Sequence, residues 1–304
     1  MSTPNVSIQI PCFQAEKFIE KTISTALAQT YSNLQITVLD DASNDNTYTI
    51  CNQFKASHLK IYQNETNLGR VQNYQKAFEL SKNSDWFANL DGDDFYINNQ
   101  WVAQAIDVIN SSKSKNIVLY QGSVNKIEQL ITKSIEQIDS YHYVVSGYDY
   151  IQHCLKEYAF FHLACLFKTD IAKTISPYID ENLYTDFFTA MRIAAKGNVI
   201  IAYKNIGIWN QHIQNESAKR FEPEEQKKIQ NSFYQFFEYL EENFEGNQIN
   251  SIIHTYENRL GQERIVSEFH GLSTLSFLQF MLNNPKLLTK YWKWIIKKFI
   301  YIKN

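Results

Sequence analysis

The chain is short of the residues that mark several common protein classes. Only four cysteines occur in its 304 residues, Cys12, Cys51, Cys154 and Cys165. None forms a Cys-x-x-Cys pair, and their wide spacing suits neither a zinc site nor a disulfide framework. Buried, reduced thiols in a cytoplasmic protein are expected. Glycine is scarce, and the first one is Gly69. That excludes a dinucleotide fingerprint, which needs Gly-x-Gly-x-x-Gly after the first strand. No apolar run reaches the ~18 residues of a bilayer span. The opening "MSTPNVSIQIPCF" has neither a basic segment nor a long apolar one, so no signal peptide is expected. Charge of one sign is lacking too. A formal net charge of −3 gives no reason to expect a nucleic-acid partner.

What is present is an ordinary globular balance. Hydrophobic residues make up 44% and charged ones 20%, enough for a sizeable core. "VSIQIP" reads as a strand with Val6, Ile8 and Ile10 on one face, stopped by Pro11. Helical spacing follows from Ala15 to Gln29, with Phe18, Ile19, Ile23, Ala26 and Leu27 apolar. "LQITVLDD" is a second strand, and Ser43, Asn44 or Asp45 is placed to cap the next helix. "LKIYQN", "NLGRVQNYQKAFELS" and "WFANL" continue as strand, helix and strand. This alternation predicts an α/β fold with a mostly parallel, Rossmann-like sheet flanked by helices. Ligands of such sheets lie beyond the carboxyl ends of the strands. Pro11–Gln14, Asp40–Asp41 and Asp91–Asp94 should therefore converge on one crevice. Further on, "NVIIAY" and "IGIWNQH" read as two strands, and Gly197 as the end of the helix "LYTDFFTAMRIAAKG". From Glu222 the pattern turns helical, which places a boundary near Ser217.

"DWFANLDGDDF" carries the chemistry. Asp91, Asp93 and Asp94 crowd together after an apolar run, and like charges that close resist ionising. A solvated turn is the plain explanation. A cation site is the other, since clustered carboxylates are hard oxygen ligands suited to Mg²⁺ or Mn²⁺. An EF-hand loop is excluded because Phe95 and Tyr96 stand where an oxygen ligand and a glycine are needed. An aspartyl-phosphate phosphatase motif fits superficially, but here it follows the fourth strand rather than the first.

The stretch "VSIQIPCFQAEKFIEKTISTALAQTYSNLQITVLDDASNDNT", with "NETNLGRVQNYQKAFELSK" and "WFANLDGDDF", resembles the amino-terminal half of a family 2 glycosyltransferase of the GT-A fold. The resemblance covers about the first third of the chain and continues weakly through Trp209–Ser217. It implies an inverting transferase that uses a nucleotide-diphosphate sugar, most often a UDP-sugar. By position, Pro11 and Phe13 would line the nucleoside pocket, Asp41 would bind the base, and Asp91 would sit near the ribose. Asp93, with Asp94 beside it, would hold the metal. Arg70 and Asn73 fall where the nucleotide-pocket helix begins. Cys12 and Gln14 depart from the family's commoner Thr and Asn. Inversion needs a base, and the resemblance gives that role to Asp186, with Asp180 and Glu181 nearby; the plain alternative is that Asp186 simply favours the helix amino end. His212 would lie over the diphosphate, or be structural. Trp209 suits a sugar face or the core. A nucleotide-sugar-binding protein without catalysis is the alternative of another class.

These expectations divide the chain into a catalytic domain, residues 1–217, and a helical carboxyl-terminal extension, residues 218–304. Residues 1–97 would bind the nucleotide sugar and residues 98–217 would carry the acceptor and catalytic part. The tail, residues 284–304, reads as a basic amphipathic helix, with six lysines and no acidic residue from Lys286 on. It suits an anionic membrane surface, or packing on the catalytic domain with its lysines in water. A saccharide or lipid-linked saccharide acceptor at the inner membrane face is the matching expectation.

Overall fold

The computed structural model describes residues 3–125, 134–157, 160–212 and 223–269. In chain order the elements are β1 (Val6–Cys12), α1 (Ile19–Leu27), β2 (Leu34–Asp40), α2 (Thr47–Cys51), β3 (Leu59–Gln63), α3 (Arg70–Ser81), β4 (Trp86–Asn89) and β5 (Phe95–Tyr96). Then come α4 (Trp101–Ser111), β6 (Ile117–Val124), β7 (Glu136–Gln137), β8 (His142–Ser146), α5 (Gly147–Glu157), a 3₁₀ turn (His162–Ala164) and β9 (Cys165–Lys168). The series closes with α6 (Thr169–Ile175), α7 (Thr185–Ala194), β10 (Asn198–Ile208), α8 (Pro223–Glu241) and α9 (Gly246–Phe269).

The strands form one mixed sheet in the order β3-β2-β1-β4-β9-β6-β10-β8-β7, with β5 paired to β10. β3, β2, β1 and β4 run parallel, as do β6 and β10. β9 runs antiparallel between β4 and β6 and joins the two parallel sets. β1 is buried along its whole length, which is why its sequence is apolar beyond simple alternation. Its Val6, Ile8 and Ile10 enter the main core with Ile19, Ile23 and Ala26 of α1. On β1 and β2 lies α3. α7 is buried almost throughout, and Phe188 meets Phe233 of α8 with ring centroids 4.8 Å apart. All four cysteines are free and buried.

Three local readings of the sequence are corrected here. Pro11 does not stop β1, which pairs with β2 through Cys12↔Asp40. Cys12 accepts from Asp41 on the β2 side, so Pro11 turns its nitrogen toward β4, whose pairing already ends at Gln9↔Asn89. No ladder donor is lost. The two strands expected around Tyr203 are one, β10, with register shifts against β6 between Ile201 and Gly207. Gly197 does not cap α7 in the left-handed region. Its role is close approach: a Cβ there would lie 2.4 Å from the Asn116 carbonyl oxygen.

Two compact units divide the chain, Met1–Ile249 and Asn250–Asn304. α8 belongs to the first. The second contains most of α9. The expected boundary near Ser217 and the basic tail lie outside the described residues. Among the described residues no helix is long and apolar enough to cross a membrane.

Candidate functional site

The acidic loop between β4 and β5 is pinned from below. Asp94 N–H closes a turn on the Asp91 carbonyl at 3.0 Å. Thr22 of α1 donates its hydroxyl to the Gly92 and Asp94 carbonyls, at 3.0 and 2.7 Å. Gly92 is required for contact with the end of β1, because a Cβ there would lie 2.6 Å from Cys12 Cβ. The Tyr74 hydroxyl of α3 donates to Asp91 Oδ1 at 2.7 Å. His212 Nε2 lies 2.9 Å from Asp93 Oδ2, and its ring stacks on Phe18 at 4.5 Å. Asn210 N–H donates to Asp94 Oδ1 at 2.8 Å. The expected trio thus converges, with Asp93 at the opening and Asp94 buried beneath it.

Electrostatics make this loop receptive to positive charge. Burial, then the Asp91 charge, pushes the Asp93 carboxyl up from its ordinary value, against the pull of His212. Burial and the charges of Asp91 and Asp93 push Asp94 well up. A divalent cation would relieve both penalties. Among the described residues no group of three or more His, Cys, Asp or Glu side chains forms a ready cage. Mg²⁺ or Mn²⁺ takes one or two protein carboxylates and completes its shell with phosphate and water.

The other strand ends divide their duties. Phe13 is exposed on the loop after β1, whereas Pro11 is buried within β1. Gln14 takes a positive φ of 50°, with its N–H bonded to Ser43 and its side chain to Asn44. Asp40 is fully buried and accepts from Ser43 and Gln63. Asp41 is also buried. It accepts from Asn64 Nδ2, Leu68 N–H and Gly69 N–H at 2.7, 2.8 and 2.9 Å. This carboxylate therefore clasps the loop that leads into α3. Asp45 accepts from the Thr47 N–H and hydroxyl at the start of α2.

Asp186 lies in the first turn of α7. Its Oδ2 is 3.8 Å from Arg70 Nη2 and 3.8 Å from His162 Nδ1. Arg70 also donates to the Leu183 carbonyl at 3.0 Å and lies over the Tyr74 ring, 4.9 Å from its centroid. Burial disfavours the guanidinium charge, but Tyr74, Asp186 and Asp91 hold it above its ordinary range. Arg70 and Tyr74 thus link the acidic loop to Asp186. Asp180 is committed elsewhere, in a buried two-pronged pair with Arg192. Asn73 holds the Leu39 carbonyl and accepts from Asn64. Trp209 packs partly buried against the core, and its backbone N–H is held by Asn125.

Sequence reasoning missed Tyr74, His162 and Thr22. Tyr74 carried a usable signal, being one helical turn after Arg70 on the same face. His162 stood out as a polar residue inside the apolar run "FFHLACLF". Nothing marked Thr22.

Comparison with known proteins accords with this geometry. An uncharacterized glycosyltransferase of Rickettsia typhi is 31% identical over 120 residues, which cover 40% of this chain and 36% of that protein. The chain thus spans little more than a third of that relative. The UDP-Glc:alpha-D-GlcNAc-diphosphoundecaprenol beta-1,3-glucosyltransferase WfaP of Escherichia coli is 26% identical over 228 residues, 71% of this chain and 81% of that protein. The fold matches S. aureus TarS 1–349 in complex with UDP-GlcNAc, at TM-score 0.67 and 16% identity over 94% of this chain and 81% of that one. It also matches the mannosyltransferase PcManGT of Pyrobaculum calidifontis in complex with GDP-Man and Mn²⁺, at TM-score 0.58 and 12% identity over 97% and 84%. Likeness at such identities shows the GT-A fold alone. The model of glycosyl transferase family 2 matches residues 7–166, more than half of the chain, and the chain belongs to that family.

Proposed function

We propose that this chain is an inverting glycosyltransferase that moves a sugar from a UDP-sugar to a saccharide or lipid-linked saccharide acceptor. The observation that carries this reading is the link Asp91–Tyr74–Arg70–Asp186, which ties an acidic donor loop to a partly buried carboxylate. In the reaction the acceptor oxygen bonds the anomeric carbon as the bond from that carbon to the diphosphate breaks. The electron pair leaves with UDP, and Asp186 accepts the hydroxyl proton. Asp93, with Asp94 behind it, would hold Mg²⁺ or Mn²⁺, which would supply charge neutralisation to the departing diphosphate. His212 stands beside Asp93 and is placed to meet the same diphosphate. Phe13 and Pro11 border the nucleoside end, and Asp41 keeps the loop before α3 in shape there. Asp91, tied to Tyr74, faces the ribose.

The name of WfaP, which specifies UDP-Glc and a lipid-linked acceptor, supports the donor and acceptor classes. The Mn²⁺ in the PcManGT complex supports the metal. A cytoplasmic enzyme, peripheral on the inner membrane face through residues 284–304, suits such an acceptor. The test is Asp186→Asn. Transfer is lost while UDP still raises Tm, because a ligand bound only by the native state stabilises it by mass action. Retained transfer refutes the assignment. A thermal-shift panel of UDP-, GDP- and dTDP-sugars with and without Mn²⁺ checks donor and metal. Deleting residues 286–304 abolishes binding to anionic vesicles if the tail is the membrane contact.

A further inference from the structure

His162 is buried at the 3₁₀ turn before β9, where a histidine has no obvious packing advantage over an apolar residue. Rings surround it: Tyr74 meets it edge-on at 5.7 Å, and Phe167 and Tyr178 both lie at 5.9 Å. Its two nitrogens are nonetheless both directed at polar groups. Nε2 is 3.2 Å from the Tyr178 hydroxyl, and Nδ1 faces Asp186 Oδ2 at 3.8 Å. A bare Nδ1 lone pair would confront a carboxylate oxygen. The nearby carboxylate oxygen favours a hydrogen on Nδ1, which leaves Nε2 to accept from the Tyr178 hydroxyl. Burial holds the His162 pKa below its ordinary value, so the ring is a neutral donor. It orients the carboxylate without cancelling its charge and does not compete for the acceptor's proton.

We propose that His162 is a positioning residue for Asp186, holding Oδ2 together with Arg70 so that Oδ1 takes the acceptor hydroxyl's proton. This rests on reading Asp186 as the base. At 3.8 Å the contact is long for a hydrogen bond and shortens when the acceptor seats, as such contacts do on substrate binding. The titratable groups around this carboxylate are Arg70 and Tyr74 of α3, Tyr178 before α7, Cys165 of β9 and Asp91. Of these, Arg70 alone brings positive charge, and it approaches Oδ2 at the same 3.8 Å as His162.

The experiment compares His162→Phe with the wild type in kcat, KM and pH profile. Phenylalanine keeps the ring packing and removes the N–H. We expect kcat to fall on the order of 10–100-fold, the range for losing an outer partner that orients a functional group. The KM for the donor and the Tm shift with UDP stay put. The acidic limb of the kcat profile moves to higher pH, because a carboxylate that loses a donor holds its proton more tightly. His162→Asn, which restores a side-chain N–H, recovers part of both effects. Wild-type turnover with an unshifted limb in His162→Phe, beside an inactive Asp186→Asn, overturns the role of His162 and leaves the base intact. An active Asp186→Asn overturns the base, and this inference with it. Should His162→Phe fail to fold, Tyr178→Phe decides. It frees the tautomer, lowers kcat and shifts the same limb, and wild-type behaviour there overturns the proposal.

Discussion

The Tyr74 hydroxyl donates to Asp91 Oδ1 at 2.7 Å, and the ring that carries it lies beneath the Arg70 guanidinium. One side chain thus serves two sites. Burial holds the Tyr74 hydroxyl well above its ordinary pKa, so it stays a donor wherever the protein is folded.

Tyr74→Phe removes that donor and keeps the ring. A hydrogen bond to a charged group is lost, worth about 1.5–3 kcal/mol, and UDP affinity should fall on the order of tenfold or more. Titration calorimetry with UDP checks it. Unchanged affinity would detach Asp91 from the nucleotide.

Gly92→Ala should damage the acidic loop directly. The new methyl meets Cys12 Cβ at 2.6 Å, and neither partner is the end of a flexible chain. Overpacking of this kind costs about 1–3 kcal/mol. A lowered urea midpoint together with a lost UDP shift is the expected pair of readings.

Asp180→Ala should harm the fold rather than the chemistry. It leaves Arg192 buried without its carboxylate, and an unpaired buried charge costs about 3–5 kcal/mol. Expression and Tm fall. Protein that does fold retains kcat, which separates Asp180 from Asp186.

His142 should give stability a pH slope. Burial, opposed by Asp139, holds its pKa below the ordinary value. The unfolded chain then binds the proton first, from about pH 6.5 downward. This contribution is complete above that pH and is lost as pH falls toward the lowered value. Between pH 7 and 5 the wild-type urea midpoint should fall relative to that of His142→Asn; Asp93 and Asp94, whose carboxyls burial holds high, act in the opposite direction in both proteins. His162 acts in the same direction as His142 and is likewise common to both proteins.

Much of the donor half was legible because it is local. Strand ends, the period change at Ala15 and the Asp-Gly-Asp-Asp cluster all lie in short windows, and the structure puts those strand ends together. Pro11 was misread because local chemistry shows a missing donor but not which neighbour needs it. Gly197 was misread for the opposite reason: its glycine answers a carbonyl far away in sequence, not its own dihedral. The partners of Asp186 could not be seen. Arg70 reaches it from α3 and His162 from before β9, across the reversed strand that no periodicity announces.

The acidic loop depends on late arrivals. Asn210 and His212, which meet Asp94 and Asp93, follow them by 116 and 119 residues. On the ribosome, the carboxylates emerge long before these two residues are made. Until β10 inserts and brings its trailing segment over the loop, Asp93 and Asp94 lack the two contacts that the finished chain gives them. Any release of the chain short of His212 would leave Asp93 without that contact.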